Sequence, residues 1–470
     1  MLEGLEISEV RLSYVLSSND TFRIDSNFFQ KEFIRSELVI RGKKSLTLAA
    51  RGAVLQSFGA YSLNNQVEYL DEGVPFIRGV NMKKGRVSFS NLICISEEAN
   101  SLLWKSEVKP GMVLLSMSGT IGDVALASKN WTYPINSNQD IAKIDTAGKV
   151  NPYFLYSFLL SKFGQNYLLR EARGSVQQHV FLSQIEKFEI PTFSSFFDFE
   201  IQKTIEKSDV FLSNAEAQYI QAEKLLLSTL DMASFSPILE SLNIKSFKES
   251  FLVTGRLDAE YYQPKFENLL TLLRKDGLTI GDVAPAKHKR FESAKTGDFD
   301  YIEIGGMRGD GTVASERLPC AEAPSRATQR VHQGDIVTST VRPIRRLSAL
   351  ITPTQNDYVC SSGFVVLQPA QITAETLLVY LRLPIICELM DLHTSASLYP
   401  AISEKDLLGL PIPKMPVAVQ NEIASLVQQS FILKAKSEHL LEAAKRAVEI
   451  AIEQDEAAGM AYLAIEGALA

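Results

Sequence analysis

Cysteine is scarce in this sequence: Cys94, Cys320, Cys360 and Cys387 are its four, and none lies in a CxxC spacing. The five histidines, His179, His288, His332, His393 and His439, are scattered as well. Structural zinc draws its ligands from close pairs, so the pattern argues against zinc and for buried or incidental thiols in a reducing compartment. Long apolar runs are missing too. The closest, LLVYLRLPIICELM, is broken by Arg382 and Pro384 and falls short of the roughly 20 residues a membrane helix needs. The opening MLEGLEISEV is acidic, without the basic and apolar regions of a signal peptide, so the expected location is cytoplasmic. Nor is there an excess of positive charge. At a formal net charge of -7, any contact with DNA must be local or assisted by partners.

What is present is an ordinary soluble composition, 46% hydrophobic and 22% charged over 470 residues, enough for two or three domains. Within it one phrase is written twice. RIDSNFFQKEF at 23–33 returns as RLDAEYYQPKF at 256–266, and the echo extends both ways. Such internal repeats are the first thing to settle in a sequence. Upstream, LEISEVRLSYVL (5–16) aligns with LNIKSFKESFLV (242–253). Downstream, KPGMVLLSMSGTIGDVALAS (109–128) aligns with HQGDIVTSTVRPIRRLSALI (332–351), anchored by Gly111/Gly334 and Ser116/Ser339. Each reads as a turn, an apolar strand, a tight connection and a second strand. INSNQDIAKID and VCSSGFVVLQP follow as strands, NPYFLYSFLLS and AETLLVYLRLP as helices, with Pro191 and Pro411 as later stops. The middle segments, roughly 40–108 and 273–331, share little. One scaffold holds two unlike inserts.

Each repeat closes on a long helical pattern. Ile201, Ile205, Ser208, Leu212, Ala215, Tyr219, Ala222, Leu226 and Thr229 step alternately by four and three. Val419, Ile423, Leu426, Ser430, Leu433, Ser437, Leu440, Ala444 and Ala447 do the same. This is coiled-coil spacing, and its serines and alanines imply closely approaching backbones. The plainer alternative packs each helix on its own domain, but both patterns run unbroken for about 30 residues, longer than most globular helices. A two-fold relation between repeats would set the helices antiparallel. At about 1.5 Å per residue they give a rod of about 45 Å, against about 34–36 Å between half-sites one DNA turn apart.

On these duplicated motifs the chain resembles the specificity (S) subunit of type I restriction–modification systems. The motifs are RIDSNFF/RLDAEYY, GMVLLSMSGTIGDVAL/GDIVTSTVRPIRRLSAL and the lead-in to each helix. That lead-in places Ile190-Pro191 before Gln202 and Ile205, and Leu410-Pro411 before Gln420 and Ile423. One departure is the aromatic IPTFSSFFDFEIQ where the first spacer is usually Pro-rich. The resemblance implies a mixed α/β (α+β) fold. Two pseudo-two-fold-related target recognition domains, 1–195 and 237–413, would be separated by two long helices forming an antiparallel coiled coil. Those spacers are placed at 196–236 and 414–456, with a C-terminal tail at 457–470. It also implies a non-catalytic subunit that reads a bipartite, asymmetric double-stranded DNA target in phage defence. Its helix seam (Ile201, Ile205, Leu212, Tyr219, Leu226; Val419, Ile423, Leu426, Leu433, Leu440) would help dock methyltransferase (M) subunits, expected to be two. Restriction (R) subunits would join the larger complex. No cofactor is expected in this chain; S-adenosylmethionine, ATP and Mg belong to the partner subunits.

Readers of B-DNA need Arg or Lys for guanine and phosphate, and amides or hydroxyls for adenine and backbone. FIRGVNMKKGR offers Arg78, Asn81, Lys83, Lys84 and Arg86. AKHKRFESAK offers Lys287, Lys289 and Arg290 beside His288, and IEIGGMRGDG offers Arg308. VRPIRR places Arg342, Arg345 and Arg346 where the first repeat has SGTIGD. GSVQQHV offers Ser175, Gln177, Gln178 and His179. For each, a solvated charged loop or a helix cap is the plain alternative. NPYF at 151–154 approaches the Asn/Asp-Pro-Pro-aromatic motif of amino-methyltransferases, yet lacks its second proline and opens a helix, where Pro152 suits the first turn. GGMRGDG is too loose for a phosphate or dinucleotide fingerprint. The competing reading of the whole is a protein-interaction scaffold with duplicated heads and no sequence reading.

Overall fold

A computed structural model describes residues 8–17, 23–57, 67–83, 85–89, 92–174, 177–233, 235, 242–294, 296–395 and 398–469. The chain forms two compact units, residues 1–212 with 435–470 and residues 213–434. Both boundaries fall inside long helices.

Two four-stranded sheets carry the first unit. In one, Ile93–Ile95, Val74–Ile77, Ile135–Ser137 and Glu107–Val108 lie in that order, with the central pair parallel. The other is antiparallel throughout: Val54–Gln56, Ile141–Asp145, Val113–Ser116, Val124–Leu126. Every residue of Val113–Ser116 is buried. Val113 and Leu115 pack with helical residues such as Phe158 and Ile201, while Leu114 packs with Ile77 and Ile135. Neighbours in a strand point to opposite faces, so a strand covered on both sides is apolar along its length.

The second unit repeats the scheme. Glu316–Pro319, Asp298–Ile302, Val359–Ser361 and Ala327–Arg330 form a mixed sheet whose central pair is parallel. Ser348–Leu350, Ile336–Ser339 and Phe364–Leu367 form an antiparallel one. Here Ile336–Ser339 is buried along its whole length, with Ile336 and Val337 feeding different clusters.

The long helices are Ser195–Thr229 and Val417–Glu453. In the first unit the Ser208 hydroxyl donates to Ser437 O at 2.7 Å, and Ile201 and Ile205 pack with Ala444, Ala447 and Val448. Descending numbers on one helix meet ascending numbers on the other, so the helices run antiparallel there. In the second unit Ser430 donates to Ala215 O at 2.7 Å, and Ala222 and Leu226 pack with Ile423 and Val427. None of the positions placed in the stepped pattern is exposed; Leu212, Tyr219, Thr229, Val419, Leu426 and Leu433 are half-buried and the rest buried. Two sheet-rich units and two long helices make this the mixed α/β architecture expected from the sequence.

The echoed phrase is a clasp. Arg23 grips Asp25 with a two-bond fork, Nε and Nη2 each 2.8 Å from a carboxylate oxygen. Its Nη1 donates to Arg170 O at 2.8 Å and Ala172 O at 3.3 Å, at the end of the helix Lys162–Glu171. Arg256 does the same with Asp258, and its Nη1 reaches Leu392 O at 2.8 Å, at the end of Pro384–Leu392. The guanidinium carbons lie 4.9 Å from the Phe28 ring and 4.6 Å from the Tyr261 ring. A cation at a helix C-terminus satisfies the last carbonyls and opposes the negative end of the dipole. The arginine hydrogen bonds hold the Asp25 and Asp258 carboxyls below their usual range.

Small polar residues such as Ser116 and Ser339 are buried in the covered strands, and so is one charged residue of the strand Ile141–Asp145. Lys143 is fully buried, with Ser137 Oγ at 3.1 Å as its partner. In the second unit Val366 holds the matching place: Ile141 pairs with Ser116 as Phe364 pairs with Ser339, two residues before each. Burial pulls the Lys143 ammonium down to about 7. Between about 7 and the ordinary lysine value the unfolded chain holds a proton that the folded chain does not, so this residue's contribution to stability rises with pH there. Lys143→Met is expected to be more stable than the parent at pH 7, by on the order of 3 kcal/mol. That advantage should narrow as unfolding is measured toward pH 10; a constant difference would count against a buried charge.

Candidate nucleic-acid interface

In each unit two loops are stitched together. In the first, Ser118 bridges to His179, Val180 N donates to Met117 O at 2.9 Å, and Gln177 Nε2 donates to Ser118 Oγ at 2.9 Å. Arg173 and His179 exchange backbone hydrogen bonds of 2.9 and 2.7 Å, closing the loop on itself. Gly174 sits at φ +121, where a Cβ would stand 2.1 Å from Gln177 O, so only glycine permits the turn. In the second unit Val341 bridges to Ala401, Ile402 N donates to Thr340 O at 3.0 Å, and Arg342 N donates to Pro400 O at 2.8 Å. SGTIGD is therefore paired with residues 177–180, and VRPIRR with residues 400–402.

The glycine-turn segments behave differently. They lean on the long helices. In the first unit the hairpin of Met82–Lys83 and Arg86–Val87 lays Gly85 against the helices: its carbonyl accepts from the buried Tyr156 hydroxyl at 2.6 Å, and a Cβ there would stand 3.0 Å from Leu441. Arg86 pairs with Asp209 and reaches Ser208 Oγ at 2.5 Å and Ser437 Oγ at 3.3 Å. In the second unit Asp310 pairs with Lys434, and Arg382, 1% exposed, donates to Gly309 O. Arg382 also donates to Tyr219 Oη at 2.9 Å and Arg346 O at 2.7 Å. Arg346 in turn pairs with Glu223 of the long helix.

The sequence candidates thus fall into two groups. Asn81 is buried with its carbonyl accepting from Arg78 N at 3.0 Å, and Arg86 and Arg346 are tied to the helices. Lys287 pairs with buried Asp335 at 2.7 Å and lies 2.9 Å from His332 Nδ1. Arg308 is half-buried, with its backbone bonded to Thr312 at 3.0 Å. Arg78 is also half-buried, its Nε without an acceptor. By contrast Lys83, Gln177, Gln178, Lys289, Arg290 and Arg345 are exposed. Arg342 lies 5.4 Å over the Tyr399 ring, and Lys289 lies 3.0 Å from His332 Nε2. Lys84 and Ser175 lie outside the described residues. Ser118, Tyr399 and Arg173, which shape these surfaces, escaped the sequence reading; only their closeness to the named loops could have marked them.

Among the described residues no group of three His, Cys, Asp or Glu could hold a metal ion. Burial pushes the thiols of Cys360 and Cys387 up, to about 12 and about 11. No helix among the described residues is long and apolar enough to cross a membrane. The NPYF segment is a helix cap: the Asn151 side chain accepts from Tyr153 N at 2.9 Å and donates to Gln202 Oε1 at 3.1 Å.

The chain matches the type I restriction modification DNA specificity domain over residues 54–207. It is similar to the type I restriction enzyme EcoBI specificity subunit of Escherichia coli, 22% identical over 193 residues. That match spans 41% of this chain and 37% of the relative's length. Among solved structures, the type I restriction–modification S subunit of M. genitalium is 15% identical, covering 87% of this chain and 95% of that one, with a TM-score of 0.37. The HsdS subunit of Thermoanaerobacter tengcongensis is 14% identical, covering 88% and 97%, with a TM-score of 0.30. The resemblance to the specificity family, stated from the motifs, is borne out.

The split between tied and exposed cations can be measured. Arg86→Ala should lower stability toward urea by about 2 kcal/mol, since it strands Asp209 and removes charge-assisted bonds. Lys83→Ala, on the same hairpin, should stay within about 0.5 kcal/mol of the parent.

Proposed function

We propose that this chain is the DNA-reading subunit of a type I restriction–modification complex, and that each unit reads one half of a split, asymmetric target. The observation that carries the reading is the repeated pair of stitched loops filled with unlike side chains. Gln177 and Gln178 on one head are suited to adenine edges and backbone; Arg342 and Arg345 on the other are suited to guanine and phosphate. A common frame with different contents is what a two-part, non-palindromic site demands. Catalysis is assigned to partners: methyltransferase subunits, two by the duplication, carrying S-adenosylmethionine, with restriction subunits using ATP and Mg. Docking of those subunits is assigned to the long helices. Partner cations would also offset the formal net charge of -7.

Selection from a random duplex pool, with and without the methyltransferase partner, should enrich a bipartite motif. Replacing residues 40–195 by those of a relative should then change one half of that motif and leave the other. Simultaneous change of both halves would overturn the two-reader assignment, and no enrichment in either condition would favour the scaffold. Arg345→Ala should weaken binding several-fold and flatten its salt dependence by about one phosphate contact, without lowering the melting temperature.

A further inference from the structure

A cavity of about 530 Å³ opens in the first unit beside the Arg23 clasp. Arg23, Asn27, Gln30, Phe33, Arg173 and Gln178 are among its lining, and no described residue lining it is acidic. Arg173 is the unusual member. Its Nε and Nη2 are buried and have no hydrogen-bond partner. Those two nitrogens form the side-on fork of a guanidinium, the same fork with which Arg23 holds Asp25 and Arg256 holds Asp258. In Arg173 the fork is empty. A guanidinium stays charged inside a protein, and a buried charge without a counterion is strongly unfavourable unless something binds it. The backbone of Arg173 is pinned by its two bonds to His179, which fixes the point from which the side chain extends.

We propose that Arg173, with the amides of Asn27, Gln30 and Gln178, forms a phosphate-binding site. A two-oxygen fork alone would satisfy a carboxylate; the additional amide donors around a cavity this size suit an oxyanion with further oxygens to bind. The phosphate is either a DNA backbone phosphodiester or a free phosphate ion, and both offer the same oxygens. The DNA source rests on the reading given above, because Gln177 and Gln178 belong to the stitched loop; the site itself does not. The second unit does not repeat it. There the residue after Leu392, whose carbonyl holds Arg256, is His393, packed edge-on against Tyr261 at 5.6 Å between ring centres. Burial pulls that imidazole below its usual range, toward the neutral form.

The test uses the full chain. Inorganic phosphate, compared with chloride at equal ionic strength, should raise the melting temperature of the parent, and Arg173→Gln should abolish that rise. Without phosphate, Arg173→Gln should melt at or above the parent temperature, since it removes two buried donors that have no acceptor; a merely structural arginine would give a lower one. Asn27→Ala, which leaves the guanidinium in place, should weaken the phosphate effect several-fold. In duplex binding, with and without the methyltransferase partner, loss of one phosphate contact should reduce the salt slope by about one in Arg173→Gln. Phosphate-dependent stabilisation with an unchanged slope supports the site with a free ion as its ligand. Stabilisation that survives in chains that bind no DNA at all supports the site while removing the DNA reading. Absence of both the phosphate effect and the slope change overturns the proposal.

Discussion

An arginine cannot shed its charge inside a folded chain, and that constraint organises both units. Each guanidinium that leaves water dictates where carbonyls and carboxylates must come. Arg23 and Arg256 draw the lead-in segments onto helix ends. Arg170, 5% exposed, binds Glu37 at 2.8 Å and Phe28 O at 3.1 Å. Arg382 gathers a glycine turn, a strand-connecting loop and the Tyr219 hydroxyl around one planar group. Five donors in a fixed fork specify geometry in a way that apolar contact does not. The hydrophobic clusters supply most of the driving force; the guanidiniums choose which loop lies where.

The two units accomplish the same tasks with different residues. A glycine turn is held to the post-sheet helix by the Tyr156 hydroxyl in one and by the Arg382 guanidinium in the other. The turn segment reaches the long helices through Arg86 and Asp209 in one, and through Asp310 and Lys434 in the other, with the sign of the charges reversed. What is common is the demand, a polar tie across a tight approach, rather than the side chain that meets it.

This explains what could be read from the sequence. The duplicated frame was legible because its features are local: Arg-x-Asp with an aromatic pair, an apolar strand after a glycine turn, a stepped stripe on a helix. The stripe marked buried and half-buried positions because helical periodicity is set by backbone geometry alone. Lys143 was invisible, since one lysine in a strand pattern reads as a solvated position until both faces are known to be covered. Arg86 and Arg346 looked like free loop cations for a similar reason. Their carboxylate partners, Asp209 and Glu223, lie far along the chain, and nothing in a linear pattern joins them. Arg173 sat between the helix and the loop and belonged to neither motif.

The hairpin on the first unit has a mechanical side. Lys83 is exposed on the strand paired with the one that carries Arg86, and Arg86 is locked to Asp209 and Ser208. Gly85, between them, leaves no room for slack against Tyr156 and Leu441. The position of the exposed Lys83 is therefore coupled, through the Arg86–Asp209 pair one strand away, to the Ser195–Thr229 helix.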